Sequence, residues 1–306
     1  MIVSYALAVL AAFSNAGSNV LQRKANSEEP PENNFSLRLL LGLFHRKTWW
    51  LGVAFVTASF LLQAGALSTG ELASVQPIIM LELPLTLLGG RMALGSELHK
   101  QEWAAIALLT AGLGGLVGSL QPRGGSSHAG PVVWTLGGTV SAGVITALVI
   151  AGRLQRGQVR AGLFGCAAGV CFGLTAAFMK EMTGTLSKGL VPVLTSWPIY
   201  AMAGAGLTGM FLVQNALQAG KLVAAQPGIS LLDPFTSIAW GVLAFHERTR
   251  GGALLVVAGA AAAAMALGAV LLSRSPVLQR SQAEEGGAQE RGAQVAPARA
   301  ADKATT

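Results

Sequence analysis

Of 306 residues, 52% are hydrophobic and only 11% charged, and the mean hydropathy is +0.54; about a quarter of a water-soluble domain is charged. These values exclude an ordinary soluble enzyme and describe an integral membrane protein whose first partner is the lipid bilayer. The net charge of +7 does not point to nucleic acid, because the cations gather in short loops beside apolar runs, a distribution that sets membrane orientation.

A helix crosses the hydrocarbon core with about 20 apolar residues, and nine stretches qualify. The first, 2–21, starts "MIVSYALAVLAAF" with no basic region ahead of it and no small-residue cleavage site, so it reads as a retained helix and not as a signal peptide. It carries Asn15 and Asn19. After it, "NSEEPPENN" precedes an apolar piece at 35–44 that is too short to span and reads as an interfacial helix. Span two, 49–69, holds Gln63, and span three, 72–94, holds Gln76, Pro77, Glu82 and Pro84. Spans four and five follow at 102–120 and 131–151. The sixth, 161–179, has Gly165, Gly169 and Gly173 at four-residue spacing, a face suited to close helix approach. Its two cysteines, Cys166 and Cys171, point apart on a helix and are not expected to pair. Span seven, 194–217, contains Gln214 and Asn215; span eight, 221–245, contains Gln226, Pro227, Asp233 and Pro234; span nine is the Gly/Ala-rich 252–272. Residues 273–306 are polar and read as a disordered tail.

With nine crossings, the loops at 22–48, 95–101, 152–160 and 218–220, together with the tail, hold 16 of the 21 Lys and Arg, counting Arg91 and Lys221 with their nearest loops. The other side holds five: Arg123, Lys180, Lys188, Arg248 and Arg250. The N-terminus is therefore expected outside and the C-terminus in the cytoplasm of a cell-membrane protein.

An internal repeat organises the chain. Set against 220–247 without a gap, residues 70–97 are identical at nine of 28 positions, among them Gln76 with Gln226, Pro77 with Pro227, Pro84 with Pro234 and Glu97 with Glu247. Near the start of each half, Gly17 and Lys24 answer Gly173 and Lys180. The expected fold is all-α: a four-helix unit at 2–120, a linking helix at 131–151 and a second four-helix unit at 161–272. One linking crossing turns the second unit upside down, which is the inverted-repeat plan of many secondary transporters.

A helix, a tight hairpin whose Pro-bearing arm ends in Glu, and a closing Gly/Ala-rich helix, given twice, resemble the drug/metabolite transporter superfamily. The four-plus-one-plus-four layout, "WWLG" at 49–52, and the pair "GELASVQP" and "GKLVAAQP" resemble most its NIPA-type magnesium transporters and EamA-like bacterial members. The resemblance implies membrane transport, with magnesium as cargo. It departs from the small multidrug resistance branch, whose first helix carries an essential glutamate where this chain has Asn15, Asn19 and Gln22.

Glu82 and Asp233 lie near the middle of their spans, where an ionisable group costs about 2.5–3.5 kcal/mol on insertion scales and is functional by default. The plainer alternative is a neutral acid hydrogen-bonded to a neighbouring helix. The amides of Gln63, Gln76, Gln214, Asn215, Gln226 and Asn19 complete the expected ion-binding set. Gln226 and Asp233, two turns apart, share a face, whereas Gln76 and Glu82 do not. The four prolines are expected to kink their helices and leave the carbonyls of Ala73, Met80, Val223 and Ser230 without their usual bonds. An oxygen-rich set free of sulfur suits a hard cation, with Glu82 and Asp233 as candidate metal ligands, but serves a monovalent ion or a proton relay equally. With no phosphate loop and no nucleophile beside a base, neither an enzyme nor a cofactor is expected.

Overall fold

The computed structural model describes residues 2–27, 47–94, 99–185, 189–220 and 222–273. The interfacial piece at 35–44, Glu97 and the tail beyond Ser273 lie outside the described residues.

Eleven helices make up the described chain: α1 (Ile2–Ser27), α2 (Lys47–Thr69), α3 (Leu72–Ile79), α4 (Glu82–Leu94), α5 (Lys100–Leu120), α6 (Pro131–Leu154), α7 (Gly157–Thr185), α8 (Leu190–Thr195), α9 (Trp197–Ala219), α10 (Leu222–Leu243) and α11 (Ala253–Ser273). All nine expected positions are therefore helical. Among the described residues, six segments are by length and composition apolar enough to cross a membrane: α2, the stretch Leu72–Met92, α5, α6, α7 and α11. The three others, α1, α9 and α10, carry more polar side chains, such as Ser14, Asn15 and Asn19 in α1 or Gln226, Ser230 and Asp233 in α10.

Two boundaries differ from expectation. The third span is not one helix: it breaks at Met80 and Leu81, while α10 passes through both of its prolines unbroken. Around the break the chain tightens, with Met80 and Leu81 donating to the carbonyls of Pro77 and Ile78 at 3.0 Å each. The Met80 carbonyl, expected to be free because Pro84 has no N–H, instead accepts from Leu83 at 3.2 Å. The seventh span starts at Trp197 after a separate turn of helix, because Pro198 occupies the opening turn of α9, where a missing N–H costs nothing.

Packing follows the small residues. Between helices in lipid there is little hydrophobic drive, so close van der Waals approach carries the association. α7 lies at the centre of its half, against α6, α9 and α10. Its glycine stripe meets α10: a Cβ at Gly169 would stand 2.9 Å from the Ile229 carbonyl oxygen, and one at Gly173 2.6 Å from the Thr236 side chain. The same device joins α5 to α11, where a Cβ at Gly112 would lie 2.6 Å from the Met265 nitrogen. In the other half α1 packs on α2, α3 and α4, and α3 reaches across to α10. α6 sits at the periphery, burying only Trp134, Ser141 and Gly152. Trp134 anchors its end, stacked between Phe178 at 4.7 Å and Trp240 at 4.6 Å between ring centroids. Both cysteines are free.

Candidate functional site

The break between α3 and α4 decides where the polar groups go. A continuous helix would place Gln76 and Glu82 about 120° apart, and with the break they engage different helices. Gln76, buried on α3, donates its amide Nε2 to Asp233 Oδ1 of α10 at 3.0 Å. Gln63 of α2 in turn donates to Gln76 Oε1 at 3.3 Å. Three helices are thus joined by one chain of side-chain hydrogen bonds ending on a buried carboxyl. Glu82, at the first turn of α4, accepts a hydrogen bond from the Asn15 amide of α1 and remains half-buried. Gln76 and Glu82 flank the break, so the Asp233 and Glu82 carboxyl groups are tied to its two sides.

Other expected members lie apart. Gln226 bonds to Ser230 of its own helix at 3.3 Å and does not join Asp233, although the two share a face. Asn215 turns back to the Phe211 carbonyl at 2.8 Å, and Gln214 and Asn19 are exposed. Asn15 is a member that the expected ion-binding set left out; its place one turn before Asn19 was the available signal. Among the described residues no three His, Cys, Asp or Glu side chains gather as a metal centre, so Glu82 and Asp233 are the whole acidic complement of the site.

A second buried cluster was not expected as a unit. The four N-terminal N–H groups of a helix need partners, yet Glu71, the N-cap of α3, makes no side-chain cap. Glu247, from the loop after α10, supplies it: its oxygens accept from Leu72 N at 2.6 Å and Ala73 N at 2.9 Å. The same carboxylate pairs with Lys180 of α7 at 2.5 Å, and the Lys180 ammonium also donates to the Gly70 carbonyl at 3.3 Å. One Lys–Glu pair therefore clasps α3, α7 and the end of α10. The sequence signal was the repeat itself, which matched Lys24 with Lys180 and Glu97 with Glu247. Beside it, Glu181 ties α7 to the start of α6, accepting from Ala129 N at 2.8 Å and Trp134 Nε1 at 3.1 Å, with His128 Nδ1 at 3.0 Å.

The chain is similar to an uncharacterised protein of Corynebacterium glutamicum, with 24% identity over 242 residues, or 79% of this chain and 84% of the relative. No family model matches the chain. No solved structure matches it either.

Proposed function

We propose that the chain is a nine-span secondary transporter of the drug/metabolite type, built from two inverted four-helix units, with Glu82 and Asp233 at its central site. The observation that carries the reading is the junction itself: a carboxyl from each half, each held by an amide donor from α1 or α3, on the two sides of the α3–α4 break. Two carboxylates facing each other in a low dielectric repel unless positive charge lies between them. Such a site binds and releases a cation or a proton. The helix contacts support the two-unit plan, since α1 with α2 answers α7 with α9, α1 with α3 and α4 answers α7 with α10, and α3–α10 and α5–α11, among the contacts between the units, join equivalent elements; α2 also touches α7.

The cargo we assign is a hard divalent cation, magnesium, which takes one or two carboxylates and keeps several waters. A second reading, proton-coupled export of a small metabolite, is favoured by the amide donors already on both acids, with no third carboxylate gathered beside them among the described residues. Purified protein in proteoliposomes separates the two: magnesium entry followed by an internal indicator supports the first, and efflux that collapses with the proton gradient and ignores magnesium supports the second. Unchanged flux in both Glu82→Gln and Asp233→Asn would refute the site, and absence of any solute flux would leave a membrane scaffold. The charge count assigns the N-terminus to the outside and the C-terminus to the cytoplasm.

A further inference from the structure

The loop between α5 and α6 and the loop between α10 and α11 meet at the end of the molecule where Glu247 clasps α3. They are locked by main-chain pairing: Arg123 and Arg248 exchange two bonds of 2.9 and 3.0 Å, Ser126 N donates to the Phe245 carbonyl at 2.8 Å, and Arg250 N donates to the Leu120 carbonyl at 2.9 Å. Between them lies an open basin of about 850 Å³ lined by Arg123, Arg248, Arg250 and His246.

Among the described residues no carboxylate answers the positive charge there. The acids closest in sequence and space are turned inward, Glu247 to Lys180 and the α3 terminus, and Glu181 to His128, Ala129 and Trp134. Among the described residues none of the three guanidiniums pairs with a carboxylate; Arg123 reaches only the Gln121 amide oxygen, at 3.4 Å. The floor adds main-chain donors. Gly124 and Gly125, at φ 66° and 129°, make no hydrogen bond through their N–H groups among the described residues, in a backbone conformation that side chains disfavour.

Successive N–H groups without a bond, in one basin with three guanidiniums whose planar forks match phosphate oxygens, supply the chemistry of phosphate recognition. We propose that this basin binds a phosphate-type anion, presented by a lipid headgroup or free in solution. Fixed loops favour binding because little ordering is needed when the anion arrives. This basin is separate from the Glu82–Asp233 site, and its function does not depend on what that site carries.

The full chain in nanodiscs tests it, in two arms. Inorganic phosphate is titrated at low salt into protein in phosphatidylcholine discs, followed by calorimetry. In the second arm, discs containing phosphatidylglycerol are disrupted and the lipid retained by the protein is counted by native mass spectrometry. Binding in the first arm identifies a soluble anion, and selective retention in the second a headgroup; either supports the proposal. The double variant Arg123→Gln/Arg250→Gln should weaken the binding by at least about tenfold, while Arg153→Gln, on the exposed end of α6, leaves it unchanged. Should the double variant not fold, Arg250→Gln alone carries the same comparison. Binding in neither arm, or equal binding in the wild type and the glutamine variants, would overturn the proposal.

Discussion

Replacing Glu247 with Gln tests how the two halves are clasped. The carboxylate is fully buried and its Lys180 partner is only 6% exposed, so the variant leaves an ammonium inside the protein without its counter-charge. Breaking a buried pair from one side costs about 3–5 kcal/mol. The low end of that range applies, because the ammonium is not stripped of every partner: Lys180 keeps the Gly70 carbonyl and lies 5.3 Å from the Phe245 ring centroid. The Gln carbonyl can accept from Leu72 or Ala73 without the strength of a charged acceptor, a further loss of about 1 kcal/mol. The expected sum is about 4 kcal/mol, nearly three decades in the unfolding constant. Pairing Glu247→Gln with Lys180→Met removes the stranded charge and should restore about 2 kcal/mol, because a buried pair replaced from both sides is close to neutral. Reversible unfolding of the four proteins in mixed micelles gives the cycle. A coupling energy below about 0.5 kcal/mol, the range of independent sites, would refute the clasp.

Gln76→Leu should remove the donor to Asp233 and the acceptor of Gln63, costing about 1–3 kcal/mol in the same unfolding assay and lowering transport more than stability accounts for. Gly169→Val should push α7 off α10, since its Cβ meets the Ile229 carbonyl oxygen at 2.9 Å; overpacking of about 1–3 kcal/mol is expected, visible as a lower melting temperature. Trp134→Leu should loosen the α6 anchor by removing its stacks on Phe178 and Trp240 and the Glu181 bond. At about 0.5–1.5 kcal/mol for each aromatic pair, the change is measurable by unfolding, and faster proteolysis between α5 and α6 would accompany it.

Much of the helical plan was legible because long apolar runs, glycine spacing and prolines act locally. Gly165, Gly169 and Gly173 marked the α7 face that meets α10; the start of α9 was missed, because span seven was drawn from 194 through the break at Ser196. The two mid-span acids, Glu82 and Asp233, were legible as well, since a carboxyl inside an apolar run is too costly to stand without a hydrogen-bonding partner; the buried Glu181 and Glu247 at the helix ends were not. The partners were not. Asn15 and Gln76 were both visible amides, but which carboxyl each serves depends on the break at Met80 and Leu81, which leaves Gln76 to α10 and Glu82 to α1. Gln226, with the same helical credentials as Gln76, bonds within its own helix.

What the sequence determined by itself was the class of solvent, the helical positions, the repeat and the residues costly enough in lipid to demand partners, because each depends on composition and short-range spacing. Only the tertiary structure decided which demands are met together. Glu247 lies 175 positions from Leu72 and Asp233 157 positions from Gln76, and no local pattern records contacts at that range. The Glu247 cap needs backbones that approach closely: at Gly241 of α10 a Cβ would collide with the Glu247 carboxylate and stand 3.2 Å from Ala73 N of α3.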